Sequence, residues 1–274
     1  MLRVERQGLA VRMVTLSHHV TWLLGTRLPR AVPLVFVVGY PKTGTTWASQ
    51  LVADYLQLPY PQMSLLPVGF AAVVHGHELI RDRYPYCVYM MRDGRDAIVS
   101  HYFHLARMVP EGDHPKMSRF LRKHLPGLVN RNDIRKNLAP FIEQQMKRPA
   151  GSRHNWAEHT RSCLESNHPR LGVLRYEGML NDPAAELTQA LTRLTGDEPD
   201  PNRIAATIEK LTFSKQAGRA AGREDRSSFL RKGTSGDWTN HFTREAAEIF
   251  DRHCGDVLIE AGYETDRSWA QQID

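Results

Sequence analysis

Short apolar runs alternate with longer helix-patterned stretches along this 274-residue chain. Leu34 to Gly39 (LVFVVG) is a continuous, largely β-branched run after Pro33, and it predicts a strand buried on both faces. From about Thr45 the apolar residues Trp47, Leu51, Val52, Tyr55 and Leu56 fall on one side of a helix. A second run, Phe70 to Val74, closes on His75-Gly76-His77. A third, Tyr86 to Met91, closes on Arg92-Asp93-Gly94-Arg95, with a helical stretch carrying Ile98, Val99 and Tyr102 behind it. Residues 110–169 are polar, basic and helical in pattern, without a strand. Leu171 to Leu174 is a fourth buried strand, and Asp182-Pro183 opens another helix with Glu186 in its first turn. A glycine- and charge-rich stretch, 217–236, precedes a last helix from about Thr243 to Ala261.

This alternation predicts an α/β fold: a single domain whose mostly parallel central sheet is flanked by helices. Ligands of such sheets bind beyond the carboxyl ends of the strands. Three of the predicted strands run out at Lys42, His77 and Arg92, all able to do chemistry, and this shared polarity points to one site. No internal repeat or low-complexity tract interrupts the pattern.

Residues 1–30 read as a separate, peripheral helical segment. Arg3, Arg6 and Arg12 precede the apolar run Val20 to Leu24, which loosely imitates a signal peptide. His18 and His19 break that run and no small-residue cleavage pattern follows. A packed helix is expected, with peripheral membrane contact through its basic and apolar residues as the alternative. No segment approaches the roughly 20 apolar residues of a transmembrane helix. The net charge of +6 suits an anionic partner but does not by itself select one. Cys87, Cys163 and Cys254 are too far apart for a zinc or disulfide pattern, so a reducing, cytoplasmic setting is expected.

Gly39-Tyr40-Pro41-Lys42-Thr43-Gly44-Thr45-Thr46-Trp47 joins the first strand to its helix. Its glycines permit a tight turn, and the helix N-terminus favours an anion. Against the nucleotide triphosphate loop G-x-x-x-x-G-K-[ST], Gly39 and Gly44 match, but Thr45 stands where the lysine belongs. That displacement disfavours a small-molecule P-loop kinase. Arg92 offers a planar fork suited to phosphate, and Ser100 lies about two helical turns beyond it. Arg95 and Asp96 read as a salt-bridged surface turn. The loop Arg231-Lys232-Gly233 is basic and flexible, a plausible anion clamp.

The displaced-lysine loop closely resembles the 5′-phosphosulfate loop of sulfotransferases that use 3′-phosphoadenosine 5′-phosphosulfate (PAPS), especially the soluble cytosolic branch and its bacterial relatives. Further segments follow in family order: Arg92 to Ser100; Leu174-Arg-Tyr-Glu-Gly178; Thr212-Phe213; and Arg231-Lys-Gly-Thr-Ser-Gly-Asp-Trp238, nearly the full R-K-G-x-x-G-D-W motif. The resemblance runs from about Leu34 to Phe250. It implies a P-loop-like nucleotide-binding core, a sulfotransferase domain over residues 31–274, PAPS as donor and PAP as product. It implies that Lys42, Thr43, Gly44, Thr45 and Thr46 cradle the 5′-phosphate. Arg92, Ser100, Arg231, Lys232 and Gly233 hold the 3′-phosphate, while Trp47, Tyr176, Thr212 and Phe213 line the adenine. Glu177 is structural, and Gly178 replaces the usual aspartate.

The family's general base is a histidine at a strand end between the two phosphate motifs. Val73-Val74-His75-Gly76-His77 fits this with His77 as the base, and a shifted register makes it His75 instead. Lys42 would stabilise the departing 5′-phosphate oxygen, with Ser100 restraining Lys42 beforehand. No metal is required. The interval from Lys42 to His77 is short for the family and Glu78 replaces a proline, so the acceptor is open: a small-molecule or lipid hydroxyl, or an amine. No nucleic-acid partner is implied. Thr239 and Arg244 depart from the family's tail dimer motif, and no such dimer is predicted. A non-catalytic nucleotide-binding protein of the same fold is the remaining alternative, disfavoured by the joint presence of Lys42, His77, Arg92 and Ser100.

Overall fold

A computed structural model describes residues 2–109, 115–127, 133–226, 228 and 230–273; side chains of residues 2–8 and 116 lie outside the described set. Arg3, Arg6 and parts of the stretches 110–169 and 217–236 therefore fall outside it.

Strands β1 (Leu34–Val38), β2 (Ala72–Gly76), β3 (Tyr86–Met91) and β4 (Leu171–Arg175) form one parallel sheet in the order β2-β1-β3-β4. All five residues of β1 are buried, because the strand is central and covered on both faces; this is why the run is continuously apolar. On one face Val35, Val37, Val73, Val88 and Met90 pack against α2 (Thr45–Leu56), α8 (Pro183–Thr195) and α9 (Pro201–Lys210). On the other face Leu34, Phe36, Val38, Tyr89 and Met91 form a second layer of core. A third cluster joins α3 (Gly94–Ala106), α5 (Ile134–Lys147), α6 (Trp156–Leu164) and α11 (Arg244–Glu260). The predicted helical middle thus resolves into α4 (Pro115–His124), α5 and α6.

The second strand begins at Ala72 rather than Phe70. Leu34 opens β1 opposite Ala72, so the two preceding residues have no ladder partner, and Phe70 is exposed.

Helix α1 (Leu2–Arg27) lies against the second face. The Trp22 ring meets Phe36 edge-on at 4.9 Å and donates through Nε1 to the Tyr84 hydroxyl at 3.2 Å. Thr21 Oγ1 accepts from the Val68 amide at 2.8 Å. Leu9, Val11 and Leu16 remain exposed. Among the described residues no helix is long and apolar enough to cross a membrane.

Candidate active site

The four parallel strands end on one side of the sheet, where a cavity of about 1420 Å³ opens. Gly39 follows β1 directly, and only glycine fits there: an added Cβ would stand 2.7 Å from the Met90 carbonyl oxygen and 2.8 Å from Thr43 Oγ1. The loop then closes on itself, with the Thr43 amide and hydroxyl both donating to the Tyr40 carbonyl (3.2 and 2.8 Å). Lys42 is held at φ 71°, a left-handed conformation uncommon for a side-chain-bearing residue. Arg92 Nη1 donates to its carbonyl at 3.1 Å and stabilises the turn. Burial, then the nearby charges of Arg107, Arg92 and Arg231, lower the Lys42 amine to about 7.

Arg92, at the end of β3, joins three segments. Its second amino group, Nη2, donates to the Thr234 carbonyl at 3.1 Å, Asp96 lies 3.8 Å away, and its guanidinium sits 4.1 Å over the Tyr176 ring. Its Nε–H is buried with no partner among the described residues, and so is that of Arg231. Arg231 is otherwise bonded to Asp237 (2.6 Å) and Glu224, while Lys232 pairs with the other Asp237 oxygen. Arg219 binds the carbonyls of Leu230 and Arg231, so the basic loop is ordered from behind. At Gly233 an added Cβ would lie 2.6 Å from the Phe213 ring, so the bare backbone is what lets the loop close on that aromatic face.

The turn after β3 departs from expectation. Arg95 and Asp96 do form ion pairs, but both are buried, at 3% and 1% exposure, rather than lying on the surface. Asp96 accepts the amides of Gly236 and Trp238 at 2.7 and 2.9 Å. Arg95 is covered by the rings of Trp238 and Trp269 at 4.0 and 4.7 Å. This pair brackets the Gly236-Asp237-Trp238 segment and brings the basic loop to the sheet end. Glu177 performs a similar tie, accepting from the Asp93 amide (3.0 Å) and the Tyr263 hydroxyl (3.2 Å).

His77 stands one residue past β2. Its Nδ1 is 2.7 Å from the Gly39 carbonyl oxygen, which can only accept. The proton of the neutral ring is therefore on Nδ1, leaving Nε2 as a bare acceptor. Burial lowers its basicity, against the Gly39 bond and Glu78, and keeps the ring neutral. His75 also borders the cavity, with the rings 6.3 Å apart. Its Nδ1 is bonded to the Tyr60 hydroxyl (2.8 Å), and burial lowers it to about 4.

The cavity lining unites Lys42, Gly44, Thr45, Thr46, Trp47, His75, His77, Arg92, Ser100, Tyr176, Phe213, Arg231, Lys232 and Gly233. Trp47 is anchored by its Nε1–H to the Leu211 carbonyl (2.9 Å) and meets Tyr176 edge-on. Two expected residues are not brought to the lining. Thr43 is buried beneath the loop, and Thr212 caps α10 (Phe213–Ala217) through the Lys215 amide. Sequence reasoning also missed the α1 residues at the cavity. His18, stacked on Trp22 at 4.2 Å and bonded to Glu78 at 3.1 Å, helps form the wall. The signal was the very pair of histidines that interrupts the apolar run of that helix.

The sequence between residues 77 and 262 matches the family model described as "Sulfotransferase domain". Sulfotransferase 1E1 of Bos taurus is 25% identical over 260 residues, covering 79% of this chain and 80% of its own. Amine sulfotransferase of Oryctolagus cuniculus is 26% identical over 263 residues, covering 80% and 78%. Among solved structures, mouse sulfotransferase SULT7A1 complexed with PAP aligns at a TM-score of 0.58 and 22% identity, over 84% of this chain and 85% of that one. Retinol dehydratase in complex with androsterone and inactive cofactor PAP aligns at 0.55 and 20% identity, over 82% and 80%. These structures share the fold. With the family model spanning most of the chain, from the strand-end histidine through the basic loop, the chain belongs to the PAPS-dependent sulfotransferase family.

Proposed function

We propose that this protein transfers the sulfuryl group of PAPS to the hydroxyl or amine of a small-molecule or lipid acceptor, with His77 as general base. The observation that carries the reading is the bare Nε2 of His77, fixed by the Gly39 carbonyl, in the same cavity as Lys42. The nucleotide fits the residues present. The cavity lining gathers Lys42, Arg92, Arg231 and Lys232 beside the α2 N-terminus, a concentration of positive charge that a nucleotide's phosphates would offset. PAPS supplies the activated sulfuryl group and a good phosphate leaving group. Lys42, Gly44, Thr45 and Thr46 hold its 5′-phosphate at the α2 N-terminus, with Thr43 bracing the loop from beneath. Arg92, Ser100, Arg231, Lys232 and the Gly233 backbone hold its 3′-phosphate; Trp47, Tyr176 and Phe213 flank its base. Lys42 opposes charge developing on the leaving oxygen. That residue's lowered basicity is set by the protein's own groups; a phosphate beside it favours the charged ammonium. His77 takes the acceptor's proton while neutral, within hydrogen-bond reach of the attacking atom. The cavity exceeds the roughly 300–1,000 Å³ of common ligand pockets, leaving room for an acceptor beside the nucleotide.

The test is turnover of PAPS with a panel of phenols, alcohols and amines, together with calorimetry of PAP and 5′-AMP. His77→Ala is expected to abolish transfer while leaving PAP affinity nearly unchanged, and wild type is expected to bind PAP well over tenfold tighter than AMP, since several charge-assisted contacts to the 3′-phosphate vanish together. Full activity in His77→Ala with loss in His75→Ala would move the base to His75. Equal affinity for the two nucleotides would refute the donor assignment.

A further inference from the structure

We infer that His101 donates a hydrogen bond from Nε2 to the sulfuryl group in transfer, its imidazole held in the opposite tautomer to His77; the assignment rests on the sulfuryl-transfer reading above. His101 follows Ser100 on α3, is 1% exposed and lines the same cavity. Its Nδ1 lies 3.3 Å from the hydroxyl of Tyr40, a fully buried residue of the phosphate loop. Burial pushes the Tyr40 phenol up, so it keeps its proton. That proton has one partner among the described residues, His101 Nδ1, and a buried hydroxyl left undonated is unfavourable. Tyr40 therefore donates and Nδ1 accepts. Burial, with the charges of His104, Lys42 and His77 nearby, keeps the imidazole neutral. A neutral ring that accepts at Nδ1 carries its proton on Nε2.

That Nε2–H belongs to a ring that lines the cavity. It has no partner among the described residues, yet it is not among the polar atoms sealed away from the cavity. The nearest modification at Gly151, an added Cβ, would come only to 3.5 Å of it, and Gly151 borders the cavity too. The site thus holds a bare acceptor at His77 Nε2 and a neutral donor at His101 Nε2. In transfer, the acceptor atom bonds to sulfur and its proton passes to His77. The bond from sulfur to the 5′-phosphate oxygen breaks, and the electron pair stays on that oxygen beside Lys42. His101 gives up no proton. It binds a non-bridging sulfuryl oxygen and keeps the group in line between acceptor and leaving oxygen, without adding another cation near Lys42.

Two measurements decide the matter. Nitrogen-15 NMR of the histidine rings, in the protein bound to PAP, is expected to find His101 protonated at Nε2 and His77 at Nδ1. His101→Phe is expected to lower kcat on the order of 10²-fold with PAP affinity unchanged, because PAP lacks the sulfuryl group. His101→Gln, whose amide reaches a similar position, is expected to recover much of that loss, and it serves as the probe should the phenylalanine variant not fold. A proton on Nδ1 of His101, or wild-type turnover in His101→Phe, or no difference between the two substitutions, would overturn the assignment. Absence of any PAPS turnover by wild type would instead bring down the reading beneath it.

Discussion

Asp237→Asn isolates the support of the basic loop. The Asp237 carboxylate is 4% exposed and receives Arg231 (2.6 Å), His241 (3.2 Å), Asn240 (3.1 Å) and Lys232. Asparagine keeps the shape but turns an amide N–H₂ toward cations that need an acceptor. Breaking a buried ion pair by removing one partner costs about 3–5 kcal/mol. Arg231 retains Glu224 and Lys232 is 26% exposed, so the loss belongs near the lower figure, about 3 kcal/mol. At about 2–4 °C per kcal/mol for chains of similar size, Tm should fall by roughly 6–12 °C. Burial opposes ionisation of Asp237, but bonds from His241, Lys232 and Arg231 outweigh it and hold the carboxyl well below its usual range. A depressed carboxyl contributes stability above its unfolded value near 3.9 and loses it as pH falls below that value. The gap between wild type and variant should therefore be constant from about pH 8 to pH 5 and narrow progressively as pH falls below about 4 toward the folded-state value. PAP should raise the variant's Tm more than the wild type's, since phosphate returns negative charge to Arg231 and Lys232. Scanning calorimetry with and without PAP across that range measures all three. A loss under about 1 kcal/mol at pH 7, or a gap that does not narrow as pH falls below about 4, would refute the reasoning.

Lys42→Ala should lose turnover on the order of 10²–10³-fold yet keep its Tm, because the buried ammonium is disfavoured in the empty site; a large drop in Tm would make Lys42 structural. PAP affinity should fall as pH rises from 7 to 9, since the Lys42 amine, lowered to about 7 by burial, loses its charge there in the empty protein. Calorimetry at fixed ionic strength gives that profile, and a flat one counts against Lys42 as a phosphate ligand. Gly39→Ala should cost about 1–3 kcal/mol and weaken PAP binding, because its Cβ meets the Met90 backbone oxygen rather than a movable side chain; unchanged urea melts and PAP affinity would show that the loop has room.

Local signals in the chain decided a good deal. Five consecutive apolar residues specified a strand covered on both faces, the glycine-lysine-threonine loop declared an anion site, and His77 and Arg92 followed strands of the same sense. These features depend on neighbours a few positions away, through periodicity and turn chemistry, so they can be read without a fold. Exposure and bonding partners depend on segments far along the chain. Arg95 and Asp96 looked like a surface turn because nothing nearby in sequence announces that Trp238 and Trp269 will cover them. Thr43 and Thr212 sit within the expected motifs, but tertiary packing turns their hydroxyls to the loop carbonyl and a helix cap. The α1 segment joins the cavity wall only because the sheet face beneath it accepts Trp22. The tautomers show the division most sharply. The sequence by itself placed His77 after a strand and gave no sign of a role for His101 within α3; only the tertiary structure, by setting a carbonyl against one Nδ1 and a buried phenol against the other, decided which ring accepts a proton and which donates one.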